Sequence, residues 1–218
     1  MANPLVVGFD LDLTLVDSRP GIAATYRALS DRTGVYIDAD GAVKRLGPPL
    51  EVELALWFPD DQIAAMGDLF RQLYPAHAIA ASPATPGAAE AIAAVRARGG
   101  RVVVITGKYE PNARLHLRHL GLAVDEVVGW AWAEGKVEAM LSHGVEVYLG
   151  DHPADMAAAR AVPATAIGVL TGDHTEHELN AAGADTVLAD LTGFDGWLAG
   201  YPKANRHGIS VGLAGADR

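Results

Sequence analysis

The strongest constraint on the fold is the segment Val6-Val7-Gly8-Phe9-Asp10-Leu11-Asp12-Leu13-Thr14-Leu15. A short apolar run ends in two carboxylates one residue apart, with a hydroxyl just beyond. Such a run is satisfied as a strand buried on both faces, which makes it an inner strand of an α/β sheet. Ligands of open parallel sheets bind just outside the carboxyl ends of the strands. Asp10 and Asp12 therefore stand where such a sheet places its chemistry. Aspartate is also an ordinary turn and cap residue, and the pair alone is compatible with an acidic turn. The same pattern, however, recurs downstream.

Two kinds of segment alternate along the chain. Residues 1–17 and 83–200 mix short β-branched runs with alanine-rich stretches. Strands are expected at Leu5–Phe9, Arg101–Ile105, Glu126–Val128, Glu146–Leu149, Ala164–Val169 and Thr186–Leu188. Helices are expected near 87–98, 110–120, 135–143, 154–161, 176–182 and 190–199. This alternation predicts an α/β fold, a Rossmann-like doubly wound parallel sheet. Gly and Pro punctuate the joints at Pro86-Gly87, Gly99-Gly100, Gly121, Gly144 and Pro163. Asp173 or Thr175, with Glu176 or Glu178 three residues on, resembles a capping box opening the helix near 176.

Residues 18–82 are different. Ile22, Tyr26 and Leu29 recur at helical spacing, as do Leu54, Trp57 and Phe58, then Ile63, Met66, Leu69, Phe70 and Leu73. Only Val35–Ile37 has a strand-like pattern. The region reads as an inserted helical subdomain that leaves the sheet near Val16–Pro20 and returns through Ser82–Gly87. Its closely spaced ends would let it open and close over the sheet edge. Residues 201–218 read as a weakly structured tail.

Three further constellations fall at expected strand ends or helix starts. Thr106-Gly107 closes the second core strand, where a hydroxyl and exposed amides make a small anion cradle. Lys136 stands in the first turn of a helix, where the macrodipole disfavours a cation, a conflict that an anion-binding role would explain. Gly150-Asp151-His152-Pro153-Ala154-Asp155 repeats the opening theme, with Asp155 one helical turn beyond Asp151. In a parallel sheet all these ends share one edge, whereas chance would scatter them over both. Carboxylates so crowded require a cation or a shared proton, and an oxygen-seeking divalent ion such as Mg²⁺ fits them.

Composition narrows the partners. The chain of 218 residues is half hydrophobic and carries a formal charge of −10. It is long enough for one large core, or for a core with a smaller insert. The acidic balance disfavours nucleic acid and anionic membrane, and no apolar run approaches the ~20 residues of a membrane span. The opening Met1-Ala2-Asn3-Pro4 lacks the basic flank and cleavage site of a secretory signal. The absence of cysteine excludes disulfides, thiolate nucleophiles and cysteine-held metals. It fits a cytoplasmic protein.

Taken in order, Asp-Leu-Asp-Leu-Thr, Ile-Thr-Gly, Lys136 and Gly-Asp-His-Pro-Ala-Asp resemble the four-motif pattern of the haloacid dehalogenase superfamily. The Val16–Ile22 exit and the Arg45-Leu46-Gly47-Pro48-Pro49-Leu50 segment resemble its phosphoglycolate phosphatase-like branch, which carries a helical cap. The resemblance spans nearly all of residues 4–199. It implies that Asp10 is the nucleophile that becomes an aspartyl-phosphate, and that Asp12 is the general acid and then the base. It implies Mg²⁺ held by Asp10, the Asp12 backbone carbonyl and Asp151. Thr106 and the Gly107 amide would hold phosphoryl oxygens, Lys136 would neutralise charge, and Asp155 would support Lys136. A small phosphorylated metabolite is the implied substrate, and a monomer or homodimer the expected assembly. Two residues depart from the pattern: Leu13 replaces the usual glycine, and Val137 the usual proline. The interval from Lys136 to Asp151 leaves room for only a brief helix.

Other residues have weaker readings. Lys44 and Arg45 could meet a substrate's distal charge or form a solvated helix end. Trp130 and Trp132 could wall a cleft or simply pack, and Trp57 and Phe58 read as core of the insert. The histidine pairs 116/119 and 174/177 lack a third ligand at a zinc spacing and read as surface helix positions, while His152 could line the site. A dehalogenase or phosphonate hydrolase would not need Asp12, whereas a sugar-phosphate mutase would use both aspartates. A non-catalytic binding protein on the same fold is the remaining alternative.

Overall fold

The computed structural model describes residues 4–202. Six strands form one sheet: β1 (Val6–Phe9), β2 (Arg101–Ile105), β3 (Glu126–Val128), β4 (Val147–Gly150), β5 (Thr165–Val169) and β6 (Thr186–Leu188). Their order is β3-β2-β1-β4-β5-β6, and every neighbouring pair is parallel. The chain thus steps outward from β1 on one side and then on the other. The reversal beside β1 opens the crevice in which such sheets bind ligands.

Alternating side chains serve the two faces of the sheet. Val7, Phe9, Val102, Val104, Val147 and Leu149 belong to one apolar cluster. It is covered by α5 (Ala88–Ala97), α6 (Glu110–His119) and α10 (Phe194–Gly200). Val103, Ile105, Tyr148 and Ala166 belong to the other cluster, under α7 (Glu134–His143), α8 (Pro153–Arg160) and α9 (Glu176–Ala182). The expected strands and helices of this region are present with shifts of a residue or so at their ends. The stretch expected as a helix over 190–199 is a 3₁₀ turn, Leu191–Gly193, followed by α10. Of the two candidate caps for α9, Thr175 is the one used, in a reciprocal capping box with Glu178.

Between β1 and α5 lie α1 (Arg19–Thr33), α2 (Ala39–Ala42), α3 (Leu50–Leu54) and α4 (Asp60–His77). They bury a third cluster of their own, with Ile22, Tyr26, Leu29, Leu54, Phe58, Phe70 and Tyr74 at its centre and Trp57 at its margin. The two connections to this helical unit run side by side. The Asp17 amide donates to the Pro83 carbonyl at 2.9 Å, and Val16 bridges Ala84 in antiparallel fashion.

The strand-like Val35–Ile37 is not a strand. The Val35 amide and carbonyl bond to the hydroxyls of Thr33 and Ser30 at the end of α1, and Ile37 is buried among helices. Extended backbone with no neighbouring strand cannot enter a ladder. No helix among the described residues is long and apolar enough to cross a membrane. Residues 203–218 of the expected tail lie outside the described residues.

Candidate active site

β1, β2 and β4 are adjacent, so the residues that follow them share one edge of the sheet. Asp10 leaves β1 with its amide bonded to the Leu149 carbonyl at 2.8 Å. Asp151 leaves β4, where its Oδ1 accepts from the Thr14 hydroxyl at 3.1 Å. Asp155 occupies the first turn of α8, and its Oδ2 accepts from the His152 amide at 3.2 Å in a capping box. Two glycines make this crowding sterically feasible. A Cβ on Gly150 would strike the Asp155 side chain, and one on Gly172 the Asp151 carboxylate.

One carboxylate oxygen from each of Asp10, Asp151 and Asp155 lies within 4.8 Å of the others, and all three residues are buried. Lys136, the third residue of α7 and also buried, reaches into this cluster. Its Nζ donates to Asp155 Oδ1 at 2.5 Å and lies 3.2 Å from Asp10 Oδ1. The ten-residue helix α7 fits the short interval before β4. Three acids and one lysine leave excess negative charge. Burial raises the Asp10 carboxyl from its usual 3.8 to about 7, against the pull of Lys136 and with added repulsion from Asp155 and Asp12. Burial, then Asp10 and Asp155, also hold Asp151 well above the carboxylate range. Lys136 moves the opposite way: the charges of Asp10 and Asp155 outweigh its burial and keep it protonated.

Asp12 faces away from this cluster. Its Oδ1 lies 3.0 Å from Nζ of Lys108; burial raises the Asp12 carboxyl, but Lys108 and the Ser18 hydroxyl together bring it below its usual value. The Asp12 carbonyl accepts no hydrogen bond from another described residue. The lysine also donates to the Tyr74 hydroxyl at 2.8 Å, which in turn is 2.8 Å from His116 Nε2. Burial and then Lys108 push His116 down to about 4, so the imidazole is neutral. His116 is therefore a fully buried link between α6 and α4, not the surface residue its spacing suggested. Asp12, Lys108, Tyr74 and His116 form a polar chain from the sheet edge into the helical unit. Lys108 follows Thr106 by two residues and was within reach of sequence reasoning. Tyr74 is 34 residues away and gave no signal beyond a place in an apolar helix.

Thr106 is buried, and its hydroxyl accepts from the Lys108 amide at 3.2 Å. The Gly107 amide donates to no other described residue. Leu13 departs from the expected glycine yet takes the left-handed turn, at φ 58°. Its amide donates to the Val16 carbonyl at 2.7 Å, and its carbonyl accepts from the Thr171 hydroxyl. A cleft of about 180 Å³ lies between this edge and the helical unit. Asp10, Asp12, Thr106, Gly107, Lys136 and Asp151 all line it, so the expected residues converge. Trp130, Trp132, His152 and Arg45 line it as well. Lys44 is not among the lining residues, and Arg45 is bound to Glu53 at 2.6 Å.

Comparison with known proteins agrees with this arrangement. Residues 7–160 match the profile of the haloacid dehalogenase-like hydrolases. The chain is 34% identical over 226 residues to a phosphoglycolate phosphatase of Rhodospirillum rubrum, covering 92% of each protein. It is 31% identical over 205 residues to the tyrosine-protein kinase PtkA of Mycobacterium tuberculosis. That match takes in 93% of this chain but only 65% of the mycobacterial protein's length. A haloacid dehalogenase-like family hydrolase from Streptococcus pneumoniae shares the fold at a TM-score of 0.77 and 22% identity, over 89% of this chain and 98% of that one. The chain belongs to the haloacid dehalogenase-like hydrolase family.

Proposed function

We propose that this protein is a Mg²⁺-dependent phosphatase that hydrolyses a small phosphomonoester through a phosphorylated Asp10. The observation that carries the reading is the buried group of Asp10, Asp151 and Asp155 with a single lysine among them. Asp10 Oδ1 has no well-aligned hydrogen bond although it is buried. That acceptor, met only by the Lys136 charge, and the raised carboxyls of Asp10 and Asp151 fit a hard divalent cation. Asp10, Asp151 and the open carbonyl of Asp12 would hold the ion. Once bound, Mg²⁺ would neutralise phosphoryl charge next to the nucleophile.

The residues of the chain divide the remaining work. The Asp10 carboxylate attacks phosphorus while Asp12 delivers a proton to the leaving oxygen, giving free alcohol and an aspartyl-phosphate. Asp12 then takes a proton from water as that water attacks phosphorus, which frees phosphate and restores Asp10. Splitting the transfer in two lowers each barrier. Thr106, the free Gly107 amide and Lys136 stabilise the equatorial phosphoryl oxygens. The helical unit acts as a cap whose paired connections at Val16 and Ala84 serve as its hinge. A cytoplasmic enzyme working as a monomer or homodimer belongs to the same reading.

The family relationship and the phosphatase relatives in it support hydrolysis. The kinase name of the mycobacterial relative makes the assay two-sided. Phosphate release from p-nitrophenyl phosphate is measured with and without Mg²⁺, next to transfer from ATP to a tyrosine peptide. Turnover that needs Mg²⁺ and is lost in Asp10→Asn is the expected result. Equal turnover in Asp10→Asn, or transfer from ATP without hydrolysis, overturns the proposal.

A further inference from the structure

The part of the cleft beyond the carboxylate cluster carries a charge pattern that bears on the substrate. Four cationic side chains line the whole cleft: Arg45, Arg71, Lys108 and Lys136. Each already has a carboxylate. Arg45 makes a two-pronged pair with Glu53 at 2.6 and 3.0 Å, and Arg71 is bound to Glu51. Lys108 is held by Asp12 and Lys136 by Asp155 and Asp10. Against these four stand five lining carboxylates, Asp10, Asp12, Glu51, Glu53 and Asp151. Glu53 is committed further, because the Trp57 indole also donates to it at 3.2 Å. A second anion on the substrate, remote from its phosphate, would find every cationic side chain among the described lining residues already paired, and would have to compete with a carboxylate for it. A carboxylate already in place on each arginine disfavours a distal anion by the modest amount that partly exposed ion pairs are worth.

The uncharged part of the same wall is aromatic. Tyr109 and Trp130 meet edge to face at 5.4 Å, and the guanidinium of Arg71 sits 4.4 Å over Trp130. Trp130 is nonetheless 55% exposed and, with Trp132, faces the cleft. Exposed indole beside a concave site is a stacking surface for a flat apolar body. Size sets the last limit. A cavity of about 150 Å³ holds one benzene-sized ring, and the whole cleft, phosphate end included, measures about 180 Å³, which leaves room for no more than one ring.

We infer that the substrate is a phosphomonoester of a single-ring alcohol without net charge, and that carboxylate-bearing phosphates such as phosphoglycolate are poor substrates. The inference rests on the phosphatase reading above and gives it a substrate class. Glu53 is the main specificity determinant and Glu51 the second: Glu53 masks Arg45, and Glu51 shares Arg71 with the exposed Asp68.

Benzyl phosphate and phosphoglycolate test this directly. Both are primary alkyl phosphates and differ mainly in the group carried away from phosphorus. With Mg²⁺ present, kcat/KM for benzyl phosphate should exceed that for phosphoglycolate at least tenfold, chiefly through KM. Glu53→Gln frees Arg45 and should narrow the ratio several-fold by lowering KM for phosphoglycolate. Glu51→Gln is the second variant, and melting curves check that both are folded. Wild-type preference for phosphoglycolate, or a ratio that neither glutamine variant moves, overturns the inference and leaves the phosphatase reading standing. Absence of turnover on both esters and on p-nitrophenyl phosphate overturns both.

Discussion

Replacing Asp10 should make the metal-free protein more stable, in a way that depends on pH. The Asp10 carboxyl is raised from 3.8 to about 7 in the folded state. Between those values the folded chain holds a proton that the unfolded chain has released, so stability falls as pH rises through the window. At about 1.4 kcal/mol for each tenfold change in proton affinity, the loss amounts to roughly 4 kcal/mol by pH 8. Asparagine has the volume of the neutral carboxyl and cannot ionise, so Asp10→Asn escapes this loss. Near pH 4, where Asp10 is protonated, the two proteins should melt together. At pH 8 in EDTA the variant should lie above wild type by roughly 8–16 °C, at about 2–4 °C per kcal/mol for a chain of this size. Every other titrating group is common to both proteins, so the difference isolates Asp10 and the neighbours it repels. Excess Mg²⁺ should close the gap, because it supplies to wild type the charge that the variant does not need. A variant no more stable than wild type at pH 8 in EDTA would refute the charge-crowding argument.

Three further outcomes follow from packing and hydrogen bonding. Leu13→Gly relieves a left-handed residue, about 1–2 kcal/mol, but removes a buried leucine, about 1.5–3 kcal/mol. A small net loss in urea unfolding is expected, and a clear gain would mean that the turn is strained beyond this balance. Tyr74→Phe strips the hydroxyl between Lys108 and His116 and should destabilise by about 1–3 kcal/mol; an unchanged midpoint would show that the link is not formed in solution. Phe194→Ala empties a site packed on Phe9 and Trp197, outside the residues that line the cleft, and should cost about 3–5 kcal/mol in stability, read from urea unfolding; a loss under about 1 kcal/mol would show that the site collapses around the gap.

Much of the site was legible because its residues mark strand ends. Asp10, Thr106 and Asp151 each follow an apolar run that only a buried strand accommodates, and parallel pairing then sets all three on one edge. Lys136 was legible through a local conflict, a cation where a helix start disfavours one, which the structure resolves with Asp155 and Asp10. Contacts between the helical unit and the sheet were not legible. Lys108 meets Tyr74 across 34 residues, and neither periodicity nor spacing encodes which helical side chain faces the cleft. His116 was misjudged for the same reason, since its burial is created by α4 packing from outside its own helix. Val35–Ile37 has the composition of a strand, but composition does not report whether a neighbour is there to pair with.

The charge layout also bears on when the enzyme is competent. In the proposed mechanism, catalysis starts with Asp10 ionised and Asp12 protonated. The structure has the reverse: Asp10 is raised toward neutrality by burial and by its acidic neighbours, and Asp12 is held down by Lys108. Without a cation, Asp10 therefore holds its proton more tightly than Asp12 does. Positive charge added to the cluster of Asp10, Asp151 and Asp155 lowers Asp10, because opposite charge favours the ionised form. A phosphate dianion arriving beside Asp12 raises that group by the converse effect, against the pull of Lys108. Cation and substrate thus act in the same direction, each moving the two acids toward the order that the proposed mechanism needs. Lys108 is anchored to Tyr74 on the helical unit, so movement of that unit would also weaken the restraint on Asp12. Under the proposed mechanism, metal and phosphate in the cleft both favour the working protonation states, which is a physical reason for Asp10 and Asp12 to sit in separate ion-pair circuits.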